Sequence, residues 1–261
     1  MKSFNFKSAT NTKEAAKLVS GRATFLAGGM SLLPAMKLRL AAYSDLINIK
    51  KIKTLSGIKV SSKSLRIGAT TTHASVASSK EVGKSIPSLA VLADGIGDPQ
   101  VRNRGTIGGS IANNDPAADY PSACLALNAI IHTSKRKIPA DKFFKGMFET
   151  DLKKGELIES IEFEVPEKSG YAKFPNPASR YAVVGVYVAK LKNEVRVAVT
   201  GAASCVFRSK ELENSLSSNF YNSAIDNTDI SNKGLNSDIH ASAEYRAHII
   251  KVMAKKAVSS C

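Results

Sequence analysis

Apolar residues in the first fifty positions recur first at helical and then at strand spacing. After Asn11, with Glu14 three positions later as in a capping box, small and apolar side chains follow one helix face. Two short apolar runs, ATFL and LINI, have the length of buried strands. The predicted elements are a helix over 12–20 and strands over 23–26 and 46–49, which form a small α/β lobe ending near residue 55.

Similar patterns continue to a break near residue 168. Alternating apolar positions predict strands over 58–60, 65–67 and 156–165, and helical spacing predicts helices over 72–79 and 88–94. The apolar segment 122–131 is typical of a buried helix that runs into a strand. Pro166 and the polar residues that follow it indicate the boundary near 168.

The C-terminal third is predicted to form a unit of its own. Strands are expected over 182–191 and 195–203 and helices from about 208 and 241, with the polar segment 215–238 irregular. Taken together, the pattern predicts an α+β protein of three units, over residues 1–55, 56–166 and 169–261.

The composition is that of a globular protein, with 43% hydrophobic and 23% charged residues. No segment approaches the run of about 20 apolar residues that a membrane helix needs. The first sixteen residues lack the apolar core of a signal peptide. We therefore expect a cytoplasmic protein without a membrane span.

Cysteine and histidine spacing predicts no metal centre on this chain. The three cysteines, Cys124, Cys205 and Cys261, are too far apart for a CxxC pair or for the clustered ligands of an iron-sulfur site. The four histidines, His73, His132, His240 and His248, also lack a metal-binding spacing.

A net charge of +15 is the one unusual feature of the composition, and it raises nucleic-acid binding as an alternative. The lysines are scattered, without the aromatic interleaving or the basic tail that single-strand binders use. Solvated surface lysines, or a surface that docks onto an acidic partner subunit, are favoured instead.

Two glycine segments are the strongest chemical signal, AGGMS over 27–31 and GTIGGS over 105–110. A glycine pair lets the main chain approach a ligand closely, so that consecutive N–H groups converge on phosphate oxygens. Either segment alone also fits a tight turn, but the two together suggest a divided cradle for a pyrophosphate. The sequence contains neither a GxGxxG dinucleotide motif, since Gly95 and Gly97 give only a bare GxG, nor a P-loop.

The block 96–129, together with 27–40, resembles the FAD-binding subunit of the molybdenum hydroxylases, the family of carbon monoxide dehydrogenase medium subunits and the xanthine dehydrogenase flavin domain. The resemblance extends over almost the whole chain, in the family's order, with further matches at 67–79, 138–150, 178–186, 199–203 and 237–250. It implies a two-lobed FAD-binding domain of the vanillyl-alcohol-oxidase (PCMH) type followed by a smaller α+β domain.

The resemblance also implies which residues bind FAD. They are Ala27, Gly28, Gly29, Met30, Ser31, Thr106, Ile107, Gly108, Gly109, Ser110, Asp119, Leu157, Ile158 and Lys173. Simpler roles stay open for four of them: Asp119 as the N-cap of the following helix, Leu157 and Ile158 as core strand, and Lys173 as a solvated charge. Arg102 and Arg104 are expected to support the loop rather than to contact FAD.

Three positions depart from the family pattern. Met30 stands where relatives have Gln or His, and Asn113 and Asn114 replace a His and a small residue. Because the glycine segments are expected to bind through the main chain, these changes should preserve FAD binding and affect the redox potential or the access to the ring.

The function implied by the resemblance is electron transfer. Substrate is oxidised at a molybdopterin cofactor on a large subunit, and electrons pass through iron-sulfur clusters on a small subunit to FAD on this chain and then to an external acceptor. A dimer of heterotrimers is expected, and no catalytic acid, base or nucleophile on this chain. A self-sufficient flavin oxidoreductase of the same fold is the alternative.

Overall fold

Three parallel strands form the sheet of the N-terminal lobe. The computed structural model describes residues 1–261. The strands are β1 (Asn5–Ser8), β2 (Ala23–Leu26) and β3 (Asp45–Asn48), in the spatial order β1-β3-β2, and α1 (Thr12–Leu18) and α2 (Leu32–Lys37) connect them. The predicted start of α1 is confirmed, because the Asn11 side chain accepts a hydrogen bond from the Glu14 N–H at 2.9 Å. The Glu14 carboxylate accepts from the Thr10 N–H instead of the Asn11 N–H.

The second lobe contains an antiparallel five-stranded sheet in the order β4-β5-β10-β6-β7. Its strands are β4 (Ile58–Val60), β5 (Ser64–Gly68), β6 (Ile130–Thr133), β7 (Lys137–Pro139) and β10 (Ile158–Glu164). The helices are α3 (His73–Ser78), α4 (Lys80–Ser85), α5 (Pro87–Asp94), α6 (Pro99–Arg104), α7 (Ile107–Asn113), α8 (Tyr120–Ala126) and α9 (Ala140–Phe143). A hairpin of β8 (Phe144–Gly146) and β9 (Glu149–Thr150) follows α9. Apolar side chains from alternate strand positions, such as Ile67 and Ile161, share one buried core with these helices.

The C-terminal sheet is antiparallel and is covered on both faces. It consists of β11 (Lys168–Pro175), β12 (Ala182–Lys190), β13 (Val195–Thr200) and β14 (Phe207–Arg208), followed by α10 (Lys210–Ser218) and α11 (Ala243–Ser259). Val186 and Val188 pack in a core with α10 and α11, whereas Tyr187 and Ala189 belong to the core of the second lobe. Successive side chains of β12 point to opposite faces, so this strand is apolar throughout. The predicted division into three domains stays a prediction.

Most of the second glycine segment lies in α7, from Ile107 onward, and not in the tight turn that such a segment alone also fits. Thr106 caps α7, since its hydroxyl accepts a hydrogen bond from the Gly109 N–H at 3.2 Å. Ile107 and Ile111, four positions apart, are both fully buried by the lobe's core. The cap and this apolar pair outweigh the low helix propensity of Gly108 and Gly109.

One further expectation needs correction. The segment 215–238 is not wholly irregular, because it contains the end of α10 and a 3-10 turn at Asn222–Ile225. Strand β11 is not among the predicted elements, because Ser, Gly and Lys obscure the alternation in its sequence. None of the helices combines the length and the apolar character needed to cross a membrane.

Candidate functional site

A cavity of about 910 Å³ lies where the two N-terminal lobes meet. Its size is at the upper end of the usual range for ligand pockets. Of the fourteen predicted FAD-binding residues, all except Ile107 and Lys173 line it. Residues 179–181, in the loop before β12, also line it. The fold therefore brings together positions that are more than a hundred residues apart in the chain.

The two glycine segments, which both line this cavity, touch each other. A Cβ added at Gly28 would lie 2.3 Å from the Arg104 carbonyl oxygen and 2.8 Å from the Gly105 Cα. Gly29 has a φ of +75°, in the left-handed region that favours glycine. Close approach of the main chain thus explains the first glycine, and backbone conformation explains the second.

Backbone donors are distributed unequally between the two segments. The N–H groups of the four residues from Gly28 to Ser31 have no acceptor within the protein. In the second segment the acceptors are internal: Thr71 O for Ile107 at 3.1 Å, Ala69 O for Gly108 at 2.9 Å, Thr106 Oγ1 for Gly109 at 3.2 Å and Thr106 O for Ser110 at 3.0 Å. Only the first segment presents a run of free donors, which is the arrangement that binds phosphate oxygens. The second segment supplies close backbone surface and the Ser110 side chain.

Asp119 is buried and already has two partners. Its carboxylate accepts a hydrogen bond from the Tyr171 hydroxyl and lies 2.9 Å from the Lys173 ammonium. Burial raises the pKa of Asp119, and the neighbouring Lys173 charge acts in the opposite direction. Asp119 occupies the position before α8 but makes no capping hydrogen bond, so the alternative role as an N-cap is wrong.

Lys173 lies behind Asp119 and is not part of the cavity lining. Its ammonium also donates to the Gly95 carbonyl oxygen at 2.7 Å. Its side chain is 10% exposed, so the alternative of a solvated charge is wrong. In this structure Lys173 reaches the cavity only through the carboxylate of Asp119.

His73, at the start of α3, lines the cavity although no sequence pattern had marked it as part of the site. Burial, and to a smaller extent the nearby Arg102 charge, lowers the pKa of His73 from 6.5 to about 4. Its Nδ1 atom is buried without a hydrogen-bond partner. At neutral pH the cavity wall therefore contains an uncharged imidazole.

The depressed pKa of His73 predicts a stability change in mild acid. A histidine whose pKa is lower in the folded state binds its proton more readily when unfolded, so stability is lost as pH falls below 6.5 towards 4. Its contribution to the free energy of unfolding should be about 2 kcal/mol smaller at pH 5 than at pH 8. Urea unfolding across this range should show a weaker pH dependence for His73→Gln than for the wild type. His248→Gln, at an exposed position, is the matched control, and equal profiles for all three proteins would contradict the prediction.

Comparison with known proteins identifies the family. A sequence-family model described as the FAD binding domain in molybdopterin dehydrogenase matches residues 2–167, more than half of the chain. The chain belongs to this family. The resemblance noted in the sequence is thereby confirmed, and FAD is the cofactor of the domain that forms the cavity.

Relatives of this FAD-binding subunit are medium chains of dehydrogenases. The glyceraldehyde dehydrogenase medium chain of Sulfolobus acidocaldarius is 36% identical over 272 aligned positions, covering 97% of this chain and 96% of that protein. The carbon monoxide dehydrogenase medium chain of Hydrogenophaga pseudoflava is 38% identical over 200 positions, covering 71% and 69%. A solved carbon monoxide dehydrogenase from the same organism, lacking the Mo-pyranopterin moiety, superposes with a TM-score of 0.88 at 32% identity, covering 98% of this chain and 96% of that one. This chain is an oxidoreductase medium subunit of the molybdenum hydroxylase family, and the predicted α+β fold is confirmed.

Several cavity residues are not among the predicted FAD-binding residues. They include His73, Phe148, Arg180 and Tyr181. All four lie in stretches that match the family, 67–79, 138–150 and 178–186, but the match by itself gives them no role. Each of these side chains reaches the cavity through a turn or a helix start that local spacing does not reveal. Individual contacts with FAD stay predictions.

Proposed function

We propose that this medium subunit transfers electrons from iron-sulfur clusters of a small partner subunit, through FAD bound in the cavity, to an external acceptor. The observation that carries the proposal is the run of free N–H groups from Gly28 to Ser31 at the meeting point of two lobes. Bound FAD supplies the exchange between one-electron and two-electron transfer. The protein's part is to bind FAD, orient it and limit its contact with water.

The residues of this chain divide that task. The donors of the first glycine segment bind the pyrophosphate, and the backbone of Gly105 lies against them so that the chain fits closely. Asp119 binds a hydroxyl-bearing part of FAD, and Lys173 holds its carboxylate in position. Leu157 and Ile158 are buried at the start of β10 and line the cavity, which suits a backbone contact with the flavin ring.

The partners in this proposal are a small iron-sulfur subunit and a large molybdopterin subunit, which oxidises the substrate. Medium chains of multi-subunit dehydrogenases among the relatives support that assignment. The net charge of +15 suits docking onto acidic partner surfaces. A dimer of heterotrimers and a cytoplasmic location belong to the same proposal.

The binding mode is tested by comparing flavins that differ in the phosphate part. The purified protein, with any subunits that co-purify, is titrated with FAD, FMN and riboflavin while the flavin absorbance is followed. Because FMN and riboflavin lack the pyrophosphate, we expect FAD to bind at least about a hundredfold more tightly than either, the equivalent of two charge-assisted hydrogen bonds. Equal affinity for the three would contradict the cradle, and the absence of flavin uptake by folded protein would contradict the function. If this chain alone oxidised a substrate and passed the electrons to an acceptor, the self-sufficient oxidoreductase would be favoured instead.

A further inference from the structure

A strained aromatic residue stands at the edge of the cavity. Phe148 is the second residue of the two-residue turn between β8 and β9, and its φ is +56°. The preceding Met147 has no positive φ, so the turn has the sign pattern of a type II turn, which normally has glycine at this position. A bulky aromatic residue in this conformation costs free energy that the surrounding structure has to offset.

The strain at Phe148 is not offset by burial of its own side chain. The residue is 59% exposed, and it lines the cavity together with Leu152 and Leu157. Glycine would suit the backbone better and would expose less apolar surface. An exposed aromatic ring in a strained conformation, next to a cavity, points to a functional reason for this residue.

Asn114 binds the backbone of this turn through hydrogen bonds. Its side-chain amide donates to the Gly146 and Glu149 carbonyl oxygens, each at 2.8 Å, and its backbone carbonyl oxygen accepts from the Phe148 N–H at 3.1 Å. Both side-chain partners are carbonyl oxygens, which fixes the orientation of the amide. Asn114 is 1% exposed and is itself in the left-handed region, with a φ of +43° and a ψ of +50°. Three hydrogen bonds from one buried residue therefore fix the turn.

The same residue links the turn to the glycine segment. Asn114 is the C-cap of α7, and its N–H donates to the Ser110 carbonyl oxygen at 3.1 Å. Helix α7 begins at the second glycine segment, so the backbone of that segment and the turn at Phe148 belong to one rigid connection. The backbone that carries Phe148 is thus held at a fixed place relative to the second glycine segment.

We propose that Phe148 is an aromatic cover for the flavin end of the cavity and that Asn114 is the residue that positions it. This inference rests on the proposed function, in which FAD occupies the cavity with its ring near Leu157 and Ile158. The cover packs against the flavin ring and limits the access of small solutes to it. Asn114 acts only through the turn.

The test uses the full chain, in whatever complex it purifies, loaded with FAD. We expect Phe148→Ala to weaken FAD binding about threefold to tenfold, the usual effect of losing an aromatic contact. The rate at which dithionite, a small anionic reductant, bleaches the bound flavin should rise. Asn114→Asp keeps the size and the left-handed tolerance of the residue but loses both donated hydrogen bonds, and it should reproduce both changes.

Met147→Ala is the matched control, since Met147 lies on the same turn, is 56% exposed and does not line the cavity. It should leave the FAD affinity and the bleaching rate unchanged. If Phe148→Ala behaves like Met147→Ala while the wild type binds FAD, the cover is disproved and the proposed function stands. If the folded wild type takes up no FAD, the proposed function fails and the cover fails with it.

The strain itself has a readout that needs no flavin. Phe148→Gly relieves the left-handed conformation, so the unfolding temperature of the FAD-free protein should rise, whereas that of Asn114→Asp should fall. A lower unfolding temperature for Phe148→Gly would show that Phe148 stabilises the fold, and this would overturn the assignment of the ring to the cavity.

Discussion

Replacing Gly28 with alanine is expected to abolish measurable FAD binding. The new Cβ would lie 2.3 Å from the Arg104 carbonyl oxygen, and this neighbour is backbone that cannot rotate away. The two glycine segments would have to separate, which moves the free N–H groups of the first segment out of their common alignment. Forced overpacking of this kind costs about 1–3 kcal/mol of folding free energy.

The measurement is an FAD titration with thermal unfolding of the same samples. Gly83→Ala is the matched control, because Gly83 lies in α4 with open space around its Cβ position. It should bind FAD as the wild type does and be slightly more stable, by about 0.5–1 kcal/mol. A Gly28→Ala protein that binds FAD within twofold of the wild type would contradict the close contact between the segments.

Replacing Lys173 with methionine is expected to destabilise the protein by about 3–5 kcal/mol, the usual cost of leaving a buried charge without its partner. Asp119 is buried, and Lys173 is the one cation within ion-pair distance of its carboxylate. The Tyr171 hydroxyl would remain as a donor, but it cannot replace the positive charge.

Removing Lys173 should also change how the free energy of unfolding depends on pH. Without Lys173, burial alone raises the pKa of Asp119 further, so the folded state binds the proton more readily than the unfolded state. The variant should therefore gain stability relative to the wild type as pH falls from 7 towards 4, and lose it as pH rises. Asp119→Asn combined with Lys173→Met removes both charges and should recover most of the loss at neutral pH. If urea unfolding shows the single and the double variant equally destabilised at every pH, the ion pair is not the cause.

The predictable part of the fold consists of elements whose signals are local. The start of α1 follows from Asn11 three positions before Glu14, and β2 and β4 have the predicted bounds. By contrast β1, with the sequence NFKS, is short and polar and was not predicted. It is a strand because its backbone pairs with β3. Its own side chains do not indicate this pairing.

The candidate site was predictable as a pair of segments but not as a set of bonds. The formation of α7 decides which N–H groups are free. The donors of the second segment are used by the Thr106 cap and by hydrogen bonds to residues 69–71. Asp119 and Lys173 were both singled out through the resemblance, yet their mutual ion pair was not foreseen. His73 and Phe148 lie in stretches that match the family, but only the structure places their side chains at the cavity.

By itself, the sequence determined the α+β class, the faces of the main helices and strands, and the need for glycine at the two segments. These features follow from side-chain spacing, capping and backbone freedom, which act over a few residues. Only the tertiary structure decided that Gly28 meets Gly105, that Lys173 faces Asp119 and that Asn114 holds Phe148 at the cavity. Each of these contacts joins residues that are more than thirty positions apart. They therefore form only when whole helices and strands pack against each other, because that packing buries apolar side chains and pairs buried polar groups at the same time.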